Sequence, residues 1–273
     1  MPGSRPAGVS SRWTSRTFFR VRLGILLAIL AFVLLWAWRD VRSRGARRTW
    51  DRRLSVAIVL VRRGPLEGDA VAAFRARIGD LESRLTEEFR RYRPGTMHPF
   101  AFTLAGPVDM AVGPPKASGD GVLAAVEHAW ALWRWTSRVD RDAELDTSAF
   151  DSRIYVAAGP PVNEEELFVE GESEQGGRIG TVEVELDASM ADLALFVTAH
   201  ELFHTLGAID KYDAKGRTLV PAGLAEPDRA PLYPQRFAEV MARNRSLTPE
   251  VEEPPTDLRE LAVGPVTARE IGW

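Results

Sequence analysis

His200-Glu201-Leu202-Phe203-His204-Thr205-Leu206-Gly207-Ala208-Ile209-Asp210 is the stretch on which the reading of this chain turns. It closes an apolar run, MADLALFVTAHELFHTLG, that follows Ser189, and Asp192 stands three residues after that serine as in a capping box. The pattern predicts a helix ending at Gly207. Leu195, Ala199, Leu202 and Leu206 recur on one face and can be buried, while His200 and His204, one turn apart, project from another. Two imidazoles so placed can converge on one zinc ion, and Glu201 beside them can take a proton from an activated water without being a ligand.

Two histidines leave zinc short of the three protein ligands expected at a catalytic site. Gly207 can take a left-handed conformation that stops the helix and turns the chain back, which lets Asp210 reach the metal. Asp213 and Glu226 are the alternative third ligands, although Pro227 after Glu226 disfavours the helix that would present it. Cysteine is absent, so disulfides, thiolate zinc knuckles, iron–sulfur clusters and a cysteine nucleophile are excluded, and any metal must be held by His, Asp or Glu. Of only four histidines, two fall in this segment.

The stretch resembles the extended zinc signature of the metzincin metallopeptidases, H-E-x-x-H-x-x-G-x-x-H/D, in its Asp-ending form, and is most similar to that of snapalysin-type enzymes. The resemblance covers about residues 179 to 243. It implies an α+β fold: a metzincin-like zincin catalytic domain with a twisted mixed β-sheet packed on helices, the active-site helix carrying HExxH. It also implies a Zn2+ cofactor, a peptide or protein substrate, and a role for Tyr212 in donating to the developing oxyanion. Met241, in Ala238-Glu239-Val240-Met241-Ala242-Arg243, would be the methionine of a tight turn beneath the metal, packing rather than ligating; the alternative is an ordinary core methionine. Arg243 departs from the pattern, standing where some metzincins carry a metal-contacting tyrosine.

Outward from this segment, Leu54 to Val61 (LSVAIVLV) reads as a buried strand, and residues 69 to 92 as an amphipathic helix with Val71, Phe74, Ile78, Leu81, Leu85 and Phe89 on one face. Phe100 to Leu104, Arg153 to Ala158 and Thr181 to Leu186 read as further strands, the first closed by Gly106-Pro107. Gly121 to Trp135 reads as a helix whose Trp130, Trp133 and Trp135 are expected in the core and whose His128 is structural. Glu164, Glu165, Glu166, Glu170, Glu172 and Glu174 read as a solvated acidic loop. In the order the resemblance implies, the strand 181 to 186 is the cleft edge, able to accept an extended peptide as an added strand.

At the front of the chain, residues 1 to 20 form a basic tail and Val21 to Trp38 (VRLGILLAILAFVLLWAW) is long enough to span a bilayer, with Trp36 and Trp38 at its far end. A cleavable signal peptide would have a shorter apolar core and a small-x-small site, and here the end is Trp-Ala-Trp-Arg. Residues 39 to 53 read as an Arg-rich juxtamembrane linker and 54 to 273 as the metallopeptidase-like domain. Arginines on both flanks nearly cancel in the positive-inside comparison; the domain is expected on the extracytoplasmic side by analogy with secreted relatives of the motif.

The first 53 residues carry 12 Arg against Asp40 and Asp51, and the remainder holds 23 basic and 36 acidic residues. A folded part so acidic argues against a nucleic-acid partner. The sequence thus points to a membrane-anchored zinc-dependent endopeptidase with Glu201 as general base. The competing reading is a non-catalytic, membrane-tethered binding or scaffold protein that retains the zincin fold, against which the intact Glu201 counts.

Overall fold

The computed structural model describes residues 12–119, 121–161 and 169–273. The expected basic leader up to residue 11 and the acidic residues Glu164, Glu165 and Glu166 lie outside the described residues, as does the side chain of Trp36. The chain divides into two compact units, Met1–Ala46 and Arg47–Trp273.

In the first unit the described residues belong to helix α1 (Arg12–Arg47). Its stretch Phe18–Arg47 is long and apolar enough to cross a membrane, and the 18-residue apolar window within it has no buried residue, features that a signal sequence shares. The expected linker 39 to 53 takes another form: the helix continues to Arg47, where the second unit begins.

The second unit is a mixed α/β fold around a five-stranded sheet in the order β2-β1-β3-β5-β4. Strands β1 (Leu54–Arg62), β2 (Phe100–Asp109), β3 (Ser152–Gly159) and β5 (Ile179–Glu185) run parallel, and β4 (Val169–Ser173) pairs antiparallel with β5. β1 is apolar almost throughout because it is covered on both faces. Its Val56, Ile58 and Leu60 meet Phe74, Leu81 and Leu85 of α2 (Gly68–Tyr92) and Leu195 and Leu202 of α4 (Ala191–Thr205), while Ala57, Val59 and Val61 meet Trp135 and Val139 of α3 (Val122–Asp142).

Several expectations are corrected. β2 does not stop at Gly106-Pro107: Gly106 has φ +88° with its missing Cβ directed at the Leu60 carbonyl, so the strand bulges there and continues. The cleft edge is β4, not the strand 181 to 186, because β5 is paired on both sides. No capping box forms: the Ser189 hydroxyl donates to Asp187, Asp192 is bound by Arg77, and the helix starts at Ala191. Trp130 and Trp133 are exposed, and only Trp135 of the three reaches the core.

An aromatic cluster closes the unit. Trp50, buried, packs its ring 5.7 Å from Phe89, 5.5 Å from Phe100 and 5.7 Å from the terminal Trp273, and its Nε1–H donates to the Ile271 carbonyl at 2.8 Å. Phe203 of α4 meets the same Trp273 at 5.5 Å, which ties the helix bearing His200 and His204 to both ends of the unit. Arg47 adds hydrogen bonds to the carbonyls of Gly176 and Gly177. Replacing Trp50 with Ala removes the centre of this cluster and is expected to lower unfolding free energy by about 3–5 kcal/mol, read by chemical denaturation; a loss under 1 kcal/mol would contradict the packing described.

Candidate metal centre

Helix α4 ends because Gly207 adopts φ +99°, a conformation that only glycine takes without strain. The Ala208 N–H reaches the Phe203 carbonyl at 3.1 Å and the Gly207 N–H the His204 carbonyl at 2.9 Å, the two bonds of a Schellman turn. The chain reverses as the sequence led one to expect, and Asp210 comes back over the two histidines. Its Oδ1 lies 3.2 Å from His200 Nε2 and 3.2 Å from His204 Nε2, and the two Nε2 atoms lie 3.1 Å apart.

The outer nitrogens of both rings are fixed by main-chain carbonyls. His200 Nδ1 lies 2.8 Å from the Val240 carbonyl and His204 Nδ1 lies 3.0 Å from the Ala208 carbonyl. A carbonyl only accepts, so each Nδ1 carries the proton and each Nε2 of a neutral ring turns its lone pair inward. Two lone pairs and an anionic oxygen are thereby crowded together, an arrangement that is repulsive until a cation or a proton sits among them. Tetrahedral zinc with bonds of about 2.0–2.1 Å separates its ligand atoms by about 3.3–3.4 Å, close to the spacings found here, so the donor set fits such an ion.

Electrostatics follow from the same geometry. Burial alone would push the Asp210 carboxyl upward, but when protons in place of a cation occupy the Nε2 atoms, the carboxylate accepts from His200 and His204, and those bonds and the charge of the rings hold it far below the usual carboxylate range. For His204, burial favours the neutral ring and is outweighed by Asp210 and Glu201, which raise its pKa. Glu201 is buried, and that burial raises its pKa despite the His200 charge and a hydrogen bond from Ser173. Its Oε1 is 4.0 Å from His200 Nε2, and His200, Glu201 and His204 by themselves form a group close enough to hold an ion, a group that does not include Asp210. The shorter Asp210 distances favour Asp210 as the third donor.

Among the other expected residues, Tyr212 stacks on His200 at 6.3 Å with its hydroxyl pKa pushed up to about 12 by burial and by neighbouring Asp210. Met241 is fully buried at the third position of a turn in which the Ala242 N–H donates to the Glu239 carbonyl at 2.9 Å. Val240 of that turn supplies the carbonyl that holds His200. Arg243 lies with its guanidinium 5.8 Å from the Tyr212 ring. The alternatives are elsewhere: Asp213 accepts from the backbone of Lys215 and Arg217, and Glu226 pairs with Arg236.

Two parts of the site were not foreseen. On β4, Ser173 Oγ donates to Glu201 Oε2 at 2.6 Å, and a Cβ on Gly171 would stand 2.1 Å from Glu201 Oε1, so a side chain there would displace the Glu201 carboxylate. Behind Asp210, the buried Lys211 ammonium donates to the Ile209 carbonyl at 2.7 Å and pairs with Glu270 of α5 (Pro265–Ile271) at 2.7 Å. A lysine next to a carboxylate looks like ordinary surface charge in sequence, and only its burial reveals the tie. The centre opens into a cleft of about 500 Å³ lined by Gly171, Leu193, Phe196, Val197, Tyr212 and Arg243.

No protein-family model matches the chain, and no curated protein matches it in sequence. A Gly207→Ala substitution is expected to cost about 1–3 kcal/mol, the penalty of a side chain at a positive φ, measured by denaturation. An unchanged stability would mean that this turn does not determine the return of Asp210.

Proposed function

We propose that the chain is a membrane-anchored, zinc-dependent endopeptidase of metzincin type. The observation that carries the reading is the triangle of His200 Nε2, His204 Nε2 and Asp210 Oδ1 at 3.1–3.2 Å with the Glu201 carboxylate beside it, opening on a cleft. Four features support it together: the order of strands and helices, the glycine-reversed helix end, the buried methionine turn under His200, and an antiparallel edge strand along the cleft.

His200, His204 and Asp210 would hold the ion. Zinc supplies Lewis acidity, which makes a water acidic near neutral pH and polarises a carbonyl. Glu201 then accepts the proton from the attacking water and returns it to the departing amine; its burial raises its basicity for that task, and the Ser173 hydroxyl fixes the direction of its carboxylate. Tyr212, its hydroxyl protonated across the neutral range and hydrogen-bonded to Asp210, would donate to the oxyanion. Among the described residues β4 pairs only with β5, and its other edge could pair with an extended substrate by main-chain hydrogen bonds, while the apolar side chains of Leu193, Phe196 and Val197 offer a side-chain pocket next to His200. Helix α1 is the anchor, with the folded unit on the extracytoplasmic side.

The competing reading, a scaffold that binds zinc without turnover, is separated by one comparison. Full-length protein in detergent, supplied with zinc, is assayed for bound metal and for cleavage of unstructured peptides alongside two variants. Glu201→Gln is expected to keep one zinc and lose a factor of about 10²–10⁴ in turnover, whereas Asp210→Ala loses the metal. Zinc bound with no cleavage by the unaltered chain would favour the scaffold, and equal cleavage by all three proteins would end the enzyme reading.

A further inference from the structure

Helix α3 carries an apolar stripe that the fold leaves uncovered. Val122 (80% exposed), Leu123 (85%), Val126 (61%), Trp130 (59%) and Trp133 (56%) all face outward. At 100° per residue they fall within roughly a 100° arc of the helix. The two indole rings lie against each other with centroids 4.9 Å apart. Arg134, Arg138 and Arg141 follow along one margin, and Arg138 is 3.8 Å from Asp142. Farther along, the helix changes character: Trp135 and Val139 turn inward, and Asp140 receives Arg153 at 2.5 Å and the Tyr155 hydroxyl at 2.7 Å. One end of α3 is thus bolted to β3, with Arg138 and Arg141 on its exposed side, while the other presents tryptophan and aliphatic side chains with Arg134 next to Trp133.

That combination matches a lipid surface. Tryptophan settles at the headgroup layer because its ring is apolar and its N–H polar, and arginine on the margin meets phosphate. The second unit is net acidic, so a general electrostatic attraction to lipid is ruled out and the stripe must supply the contact. The apolar run of α1 ends at Trp38 and the folded unit starts at Arg47, so residues 39 to 46, about 12 Å if helical throughout, are all the chain between a bilayer crossed by α1 and that unit. A short tether keeps the local concentration of membrane surface high, which lets a small patch suffice. We propose that the first half of α3 docks into the headgroup layer of the membrane that α1 crosses. Docking would hold the cleft at a fixed height, since Glu172 of the edge strand β4 lies 3.6 Å from His128 of the same helix. The proposal rests on the membrane reading of α1 and is independent of the metal chemistry.

Because the chain has no cysteine, a single reporter is introduced cleanly. Val126→Cys and, as a control, Lys215→Cys in the full chain are labelled with an environment-sensitive fluorophore and reconstituted into phosphatidylcholine–phosphatidylglycerol vesicles, with and without nitroxide-bearing lipid. Flotation with the vesicles is read first, and a chain that fails to float overturns the anchor and the docking together. In floating protein, the label at position 126 is expected to emit at shorter wavelength and to be quenched by the nitroxide lipid, while the label at 215 is not. A label at 126 that stays water-like, or quenching that is equal at both positions, overturns the docking and leaves the anchor intact. A blue-shifted label that escapes quenching and reverts as protein is diluted in lipid would show that a second copy covers the stripe, which also overturns it.

Discussion

His200, His204 and Asp210 hold three electron-pair donors within 3.2 Å of one another, and much of the surrounding structure exists to keep them there. Left without a cation or proton they repel, so the placement has to be enforced by the fold. The Schellman turn at Gly207 does this twice over, since it brings Asp210 back across the helix and places the Ala208 carbonyl where His204 Nδ1 needs it. The Val240 carbonyl fixes the other ring from the turn that buries Met241, and the buried carboxylate of Glu239 stiffens that turn by accepting the Met241 and Ala242 N–H groups at 2.7 and 3.0 Å. Lys211 and Glu270 brace the returning strand from the C-terminal helix, so the last residues of the chain support a centre built from its middle.

The sheet contributes the other wall. β4 lies so close to α4 that the Glu201 carboxylate fills the space a side chain at position 171 would take, and the serine two residues on turns inward to orient Glu201. The strand that leaves its edge free along the cleft is therefore also the one that aims the carboxylate. In the proposed peptidase this would link the position of a substrate to the position of Glu201 through a single short element.

What the sequence revealed and what it hid follow from how each feature is encoded. The i, i+4 histidines, the apolar face Leu195, Ala199, Leu202 and Leu206, and the glycine stop are local patterns, and the structure places them as read. β4 was hidden because Glu170, Glu172 and Glu174 look like a solvated run, whereas between them Gly171 and Ser173 face the helix: in an edge strand alternate residues meet different surroundings. Ser189 and Asp192 imitate a capping box, but Arg77, distant in sequence, claims the aspartate. The arginines before Leu54 look like a linker in sequence, while the tertiary contacts of Arg47 and Trp50 extend the folded unit to Arg47. Residue type alone puts the tryptophans of α3 in the core, and the exposed pair shows that aromatic content does not decide which face is buried.

The account depends on a metal held by two imidazoles and one carboxylate, and X-ray absorption at the zinc edge on the purified full chain examines that directly. The predicted spectrum has a first shell of nitrogen and oxygen only, at about 2.0–2.1 Å, with the outer-shell scattering of two imidazole rings and one zinc per chain. A chain that binds no stoichiometric zinc, or a first shell without that imidazole scattering, would contradict it.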